Sequence, residues 1–338
     1  MPELPEVETV ARDLERLVGG ERIVAGRIVR LANLSTPDAT TFAHAIAGRR
    51  IEGVRRRAKW ILVDLEGGLI LMVHLRMTGQ LLVVDAAAPI DRYIRAIVSL
   101  EDGREIRFRD VRAFGRLGLV ARRVDGAPAL SLDPSTGDAL AGHGPEPLEA
   151  TFTVERFRSM LASRRTRLKS LLLDQRFLAG LGNIYVDEAL WRARLHPLAV
   201  ASTLRGPEVE RLHRAIVGVL SEAVEARGSS IDDYTGPDGD GRMQERLAVY
   251  QRGGAPCPRC ARPIRRAALG GRGTHFCPYC QPLPRGRRAA AASALRRTKP
   301  ARRTGPRWSD ALQTSTVGAT AAERAAARRR AARNGGLG

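Results

Sequence analysis

The chain has four cysteines, all in one stretch: Cys257-Pro258-Arg259-Cys260 and, 16 residues later, Cys277-Pro278-Tyr279-Cys280. Paired C-x2-C knuckles at this spacing suit a tetrahedral four-thiolate zinc site and the ribbon that carries it. Four protein ligands close the shell and leave no position for water. The zinc expected on Cys257, Cys260, Cys277 and Cys280 is therefore structural; the weaker alternative is four free thiols. No cysteine remains for a disulfide framework, which fits a reducing compartment. The ribbon does not by itself specify a function, since such modules also stabilise domains that touch no nucleic acid. Arg262, Arg265, Arg266 and Arg272, between the knuckles, point towards phosphate.

A chain of 338 residues, 43% apolar, can hold two or three domains with real cores. Its net charge of +20 and pI of about 11.2 imply a polyanionic partner. The charge is uneven. Residues 281–338 carry 14 Arg or Lys against Asp310 and Glu323, so +12 sits in the tail and +8 in the body. The tail is rich in Arg, Ala and Pro without a sustained apolar stripe, and is expected to be disordered. It reads either as a non-specific DNA tether or as a solvated extension. No apolar run approaches the roughly 18 residues of a membrane helix, and the acidic N-terminus lacks a basic n-region. A cytoplasmic, nucleoid-associated monomer is expected.

Residues 4–18 read as a helix. Pro5 suits its first turn, Glu6 and Glu8 favour its positive end, and Val7, Val10, Leu14 and Leu17 form an apolar stripe. From Arg22 to about Val124, β-rich runs alternate with turns: 60–63, 69–73, 81–84, 94–100, 105–109 and 117–121. Gly67-Gly68 and Asp102-Gly103 mark hairpins, and the whole reads as a two-layer β-sandwich. Residues 142–148 look like a linker. Residues 153–228 are helical, with segments at 154–162, 167–173, 184–193 and 207–226. A glycine-containing connection, Phe177 to Asn183, separates two of them. It either brings backbone close to a phosphate at a helix N-terminus, with Asn183 capping that helix or donating to the phosphate, or is an ordinary helix connection. Residues 228–241 form a polar, Gly-rich loop. No internal repeat is visible.

The chain opens Met1-Pro2-Glu3. With Met1 removed, Pro2 becomes a secondary amine beside a carboxylate. An α-amino group has an unperturbed pKa of roughly 8, so part of it is unprotonated at neutral pH. Condensed with an aldehyde it gives an iminium with no N–H proton to lose, which is Schiff-base catalysis without a lysine. The bland reading of Glu3 and Glu6 is charge compensation at a helix start. It serves Glu6 well and Glu3, ahead of Pro5, less well.

Taken together, these features resemble the formamidopyrimidine-DNA glycosylase family. The resemblance begins with Pro2-Glu3-Leu4-Pro5-Glu6-Val7-Glu8-Thr9-Val10. It continues in Lys59, in His74-Leu75-Arg76-Met77-Thr78-Gly79 and in Asp110-Val111-Arg112-Ala113-Phe114-Gly115. It runs on through Gly144-Pro145-Glu146-Pro147-Leu148, Gly180 to Tyr185, and Arg272-Gly273-Thr274-His275-Phe276-Cys277. The collinear match covers residues 2 to about 281, and Leu4 resembles the formamidopyrimidine branch rather than the endonuclease VIII branch.

The resemblance implies an α+β architecture: an N-terminal catalytic helix and β-sandwich over residues 1–135, a linker over 136–150, a helical helix-two-turn-helix domain with the damaged-base loop over 151–241, a zinc β-hairpin ribbon over 242–281, and the basic tail over 282–338. It implies a bifunctional DNA glycosylase and apurinic/apyrimidinic lyase acting on oxidised purines in duplex DNA. Pro2 would be the nucleophile at C1′, Glu3 the acid at the sugar ring oxygen, and Glu6 a positioning group. Lys59, Asn183 and Arg272 would clamp phosphate, with Lys59 and Arg272 counted in the catalytic set. Met77, Arg112 and Phe114 would fill the void left by the extruded base. By pattern alone Met77 and Phe114 read as sandwich core and Lys59 as one member of a basic run. The role of His74 stays open. The chain departs from the family pattern at Ala113, Tyr93, Arg95 and Gly241-Arg242-Met243, and the last of these bears on lesion preference. Two other readings remain: an endonuclease VIII-like enzyme for oxidised pyrimidines, and a non-catalytic zinc-ribbon DNA-binding protein.

Overall fold

The structure is a computed structural model that describes residues 1–35, 37–121, 140, 142–229 and 241–283. The expectations for residues 230–240 of the Gly-rich loop and for the tail from 284 onward lie outside the described residues. Helix α1 spans Leu4–Val18, as its stripe predicts. Eight strands follow: β1 (Ile23–Ile28), then, after helix α2 (Ala39–Ile46), β2 (Ile51–Arg57), β3 (Trp60–Leu65), β4 (Leu69–His74), β5 (Gly79–Asp85), β6 (Ile94–Leu100), β7 (Arg104–Asp110) and β8 (Arg116–Ala121). They form two four-stranded antiparallel sheets, ordered β1-β6-β7-β5 and β2-β3-β4-β8. The inward faces share one core with α1, including Val10, Leu14, Ile61, Val73, Val98 and Phe108.

Helices α3 (Val154–Ala162), α4 (Leu168–Leu172), α5 (Asn183–Arg192) and α6 (Gly206–Glu225) build a second core. Leu4 belongs to this second core, whereas Val7, Val10 and Leu14 belong to the first. One helix therefore serves both bodies, and its N-terminus lies where they meet. The Leu4 amide donates to the Gly180 carbonyl at 3.0 Å, and Asp13 pairs with Arg227 at 2.6 Å. The segment 142–148 is also docked. Glu146 is buried and accepts from Arg56 Nη1, Arg57 Nη1 and the Ala58 amide at 2.6–2.7 Å.

The last element is a hairpin of β9 (Arg265–Leu269) and β10 (Arg272–Phe276), turned by Gly270 and Gly271. It packs on α5 through a buried network. Lys169 Nζ donates to Asp187 at 2.6 Å, and the His275 amide donates to the other Asp187 oxygen at 2.8 Å.

Candidate active site and metal centre

The four cysteine sulfurs lie within 4.8 Å of one another. Cys257 and Cys280 Sγ are 3.9 Å apart and Cys260 and Cys277 Sγ 3.5 Å. A tetrahedron with Zn–S bonds of roughly 2.3 Å requires sulfur separations of about 3.8 Å, so the cluster fits one structural zinc. Trp191 Nε1 donates to Cys257 Sγ at 3.4 Å, and Arg259 stacks over the Trp191 ring at 4.1 Å. Such outer hydrogen bonds orient thiolates and stabilise their charge.

A cleft of about 300 Å³ opens at the junction of the bodies, with Pro2, Glu3, Lys59, Asn183 and Arg272 among its lining residues. Four different segments supply these five residues. Pro2 and Glu3 precede α1. Lys59 follows Ala58 in the two-residue turn between β2 and β3, where Ala58 has φ of 53°. Asn183 opens α5 and Arg272 opens β10. The basic run before Lys59 is spent on structure: Arg55 pairs with Asp64, Arg56 with Glu8 and Glu146, and Arg57 with Glu146. Lys59 alone turns into the cleft, 7% exposed. Burial lowers its pKa, and the nearby Glu3 and Glu6 carboxylates oppose that fall.

Glu3 is 2% exposed. Its Oε1 accepts from the Ile184 amide at 2.9 Å and its Oε2 from the Tyr185 amide at 3.3 Å. The carboxylate thus sits on the N-terminus of α5, where free amides and the helix dipole favour an anion. Burial still raises its pKa above the usual carboxylate range; the Lys59 ammonium pulls it down and Glu6 pushes it up. A carboxyl poised in this way can hold a proton to give away.

This arrangement corrects the reading of the glycine connection. The N-cap of α5 is Gly182, not Asn183, which is the first helical residue. Asn183 Nδ2 donates to the Gly273 carbonyl at 2.9 Å, tying α5 to the ribbon. A Cβ at Gly182 would stand 2.3 Å from Glu3 Cδ, and one at Gly180, which has φ of +81°, would stand 2.7 Å from Leu4. These glycines make room for the N-terminal segment. The α5 amides of Ile184 and Tyr185 are occupied by Glu3.

Glu6 is buried too. Its Oε2 accepts the Glu3 amide at 2.8 Å. Its Oε1 accepts the Tyr185 hydroxyl, the Ser229 amide at 2.8 Å and Ser229 Oγ at 3.1 Å.

Met77 and Phe114 leave the core, being 37% and 51% exposed. They project from two adjacent loops. Buried Asp110 ties the two together by accepting from Thr78 Oγ1 at 2.6 Å and the Gly115 amide at 2.7 Å. The Arg112 amide donates to Thr78 Oγ1 at 3.1 Å, and its guanidinium lies over the Phe114 ring at 5.1 Å. Met77 lines the cleft; Arg112 and Phe114 stand outside its lining. His74 also lines it, buried against Trp60 with its pKa lowered to about 3, first by burial. It is neutral, and its Nδ1 accepts the Arg76 amide at 3.0 Å.

The sequence alone assigns no role to Tyr185, Ser229 or Glu146. Tyr185 reads as one more core aromatic in a helix. The signal for Glu146 was an acid between two prolines.

Three family descriptions match the chain: "Formamidopyrimidine-DNA glycosylase N-terminal domain" over residues 1–117, "Formamidopyrimidine-DNA glycosylase H2TH domain" over 143–235, and "Zinc finger found in FPG and IleRS" over 254–283. The formamidopyrimidine-DNA glycosylase of Roseiflexus sp. is 46% identical over 288 residues, covering 83% of this chain and 100% of the relative. That of Chloroflexus aurantiacus is 46% identical over 284 residues, covering 83% and 98%. A Lactococcus lactis FPG mutant in complex with a Fapy-dG containing DNA superposes with a TM-score of 0.76 at 35% identity, covering 83% of this chain and all of that one. Lactococcus lactis Fpg in complex with an abasic site containing DNA gives 0.75 at 34%, with the same coverage.

Proposed function

Because the chain belongs to the formamidopyrimidine-DNA glycosylase family, DNA glycosylases of base excision repair, we propose that it removes oxidised purines, 8-oxoguanine and formamidopyrimidines, from duplex DNA and then cuts the strand through a Schiff base on Pro2. The observation that carries this reading is the cleft in which Pro2 and Glu3 face Lys59, Asn183 and Arg272.

With Met1 removed, the Pro2 nitrogen attacks C1′ of an extruded nucleotide. The C1′–base bond breaks, and the base leaves with its electron pair and takes up the proton that the Pro2 nitrogen gives up. Glu3 gives its proton to the sugar ring oxygen and the ring opens, leaving a cationic iminium at C1′. Acid help of this kind is worth roughly 10²–10⁴-fold. The iminium draws electrons from C2′, which loses a proton, and the 3′ phosphate departs by β-elimination. A second proton loss expels the 5′ phosphate by δ-elimination. Lys59, Asn183 and Arg272 hold flanking phosphates. Met77 and Phe114 wedge the vacated stack and Arg112 hydrogen-bonds the widowed base. Cys257, Cys260, Cys277 and Cys280 would hold the zinc, which would stiffen the ribbon that presents Arg272. The domain limits 1–135, 136–150, 151–241, 242–281 and 282–338 belong to the same proposal.

Duplexes containing one 8-oxoguanine or one thymine glycol test the substrate class. The expected result is faster strand cleavage at 8-oxoguanine by correctly processed enzyme. Faster cleavage at thymine glycol would assign the endonuclease VIII-like activity; binding without cleavage of either would leave a DNA-binding protein.

A further inference from the structure

Tyr185 touches both carboxylates of the N-terminal segment from opposite ends of one residue. Its amide donates to Glu3 Oε2 at 3.3 Å and its hydroxyl donates to Glu6 Oε1. Its side chain is fully buried. The other Glu6 oxygen accepts the Glu3 amide at 2.8 Å. That amide belongs to the Pro2–Glu3 peptide, so the Glu6 carboxylate fixes the peptide plane that leads directly to the Pro2 nitrogen. The oxygen that receives the Tyr185 hydroxyl also receives the Ser229 amide and Oγ, at 2.8 and 3.1 Å.

We infer that Tyr185 is a positioning residue for the chemical steps: through Glu6, whose Oε1 it shares with Ser229, it sets the orientation of Pro2. The inference rests on the Schiff-base reading of Pro2. Burial and the neighbouring Glu6 hold the Tyr185 phenol well above its ordinary pKa, so it remains a donor throughout the working range. Ser229 alone cannot substitute. It approaches Glu6 from the α6 side, whereas Tyr185 supports it from α5, and an orientation fixed from two elements resists rotation better than one fixed from one. A reacting group displaced by about 1 Å loses on the order of 100-fold in rate.

The test uses full-length, processed protein carrying Tyr185→Phe, Ser229→Ala, or both. Single-turnover rates are measured on an 8-oxoguanine duplex and on a preformed abasic-site duplex. Affinity is measured on a duplex with an uncleavable tetrahydrofuran site, alongside zinc content and melting temperature. For Tyr185→Phe we expect both rates to fall about 10- to 100-fold, with affinity within threefold of wild type. Ser229→Ala should fall less, and the double variant should lose less than the product of the two single losses, because both act on one carboxylate. Rates within twofold of wild type for Tyr185→Phe, a loss accounted for by weaker binding or lost zinc, or fully multiplicative losses would each overturn the inference. Wild-type protein that leaves no borohydride-trapped adduct would instead remove the Schiff-base reading beneath it.

Discussion

Glu3 is a carboxylate held by the start of one helix while sitting at the start of another. Its environment sets opposing demands. Two α5 amides and Lys59 favour the anion, whereas burial and Glu6 favour the acid, and burial is the largest influence. The sign of the pH effect follows. A raised pKa keeps the proton-donating form present to higher pH, so base excision should decline as pH rises through the Glu3 titration. Lys59→Met removes a cation that lowers the Glu3 pKa. Its excision rate should be lower, and the alkaline limb of its pH–rate profile should move to higher pH; an unmoved limb would assign that limb to another group. Gly182→Ala probes the same contact sterically. With a Cβ 2.3 Å from Glu3 Cδ, the carboxylate must leave the α5 amides. Excision should fall by at least about 10-fold, while affinity for a tetrahydrofuran duplex stays within a few-fold.

At the scale of elements, a buried ion pair between α4 and α5 also holds β10, through hydrogen bonds to the His275 amide and the Gly273 carbonyl. Lys169 and Asp187 are each 1% exposed. Lys169 also reaches the Gly273 carbonyl at 3.3 Å, beside Arg272. Removing one partner of such a pair costs roughly 3–5 kcal/mol, because the other charge is left buried and alone. Asp187→Ala should lose about that much in denaturant unfolding and weaken DNA binding; stability within about 1 kcal/mol of wild type would show that the joint is not needed. Chelating the zinc should release one equivalent of metal and abolish DNA binding while the sandwich stays folded by circular dichroism. The elements differ in how legible they are. Helix α1 is marked at both ends, by Pro5 and by Gly19-Gly20, and its stripe is clean. Strands β3, β4 and β6 are apolar runs with turn signals. Strands β1 and β2 were not individually legible because each is a sheet edge with one fully buried residue, Ile23 and Ile51, and so lacks strong alternation. The β2–β3 turn at Ala58-Lys59 carries no glycine. It is held from a distance by Glu146, and local sequence cannot display a partner 88 residues away. For the same reason Pro2, Glu3, Lys59, Asn183 and Arg272 were legible as a motif set, while the Tyr185–Glu6–Ser229 contacts were not.

On the scale of the whole molecule, α1 lets one cleft draw on the sandwich, the helices and the ribbon at once. Lys59, Arg76 and Arg272 line that cleft, and 14 further Arg or Lys lie in residues 281–338 of the sequence. Removal of residues 284–338 should flatten the dependence of log Kd on log salt for undamaged duplex, since each phosphate contact contributes a slope of roughly 0.9; an unchanged slope would make the tail's charge irrelevant to DNA. The central claim, that the proline amine is the covalent catalyst, has a direct measurement. Processed protein is mixed with an 8-oxoguanine duplex and sodium borohydride, and the trapped species is mapped by peptide mass spectrometry. The account predicts one protein–DNA adduct, located on Pro2 and absent when Met1 is retained. An adduct on a lysine, or no adduct from processed protein that still cleaves the strand, would contradict it.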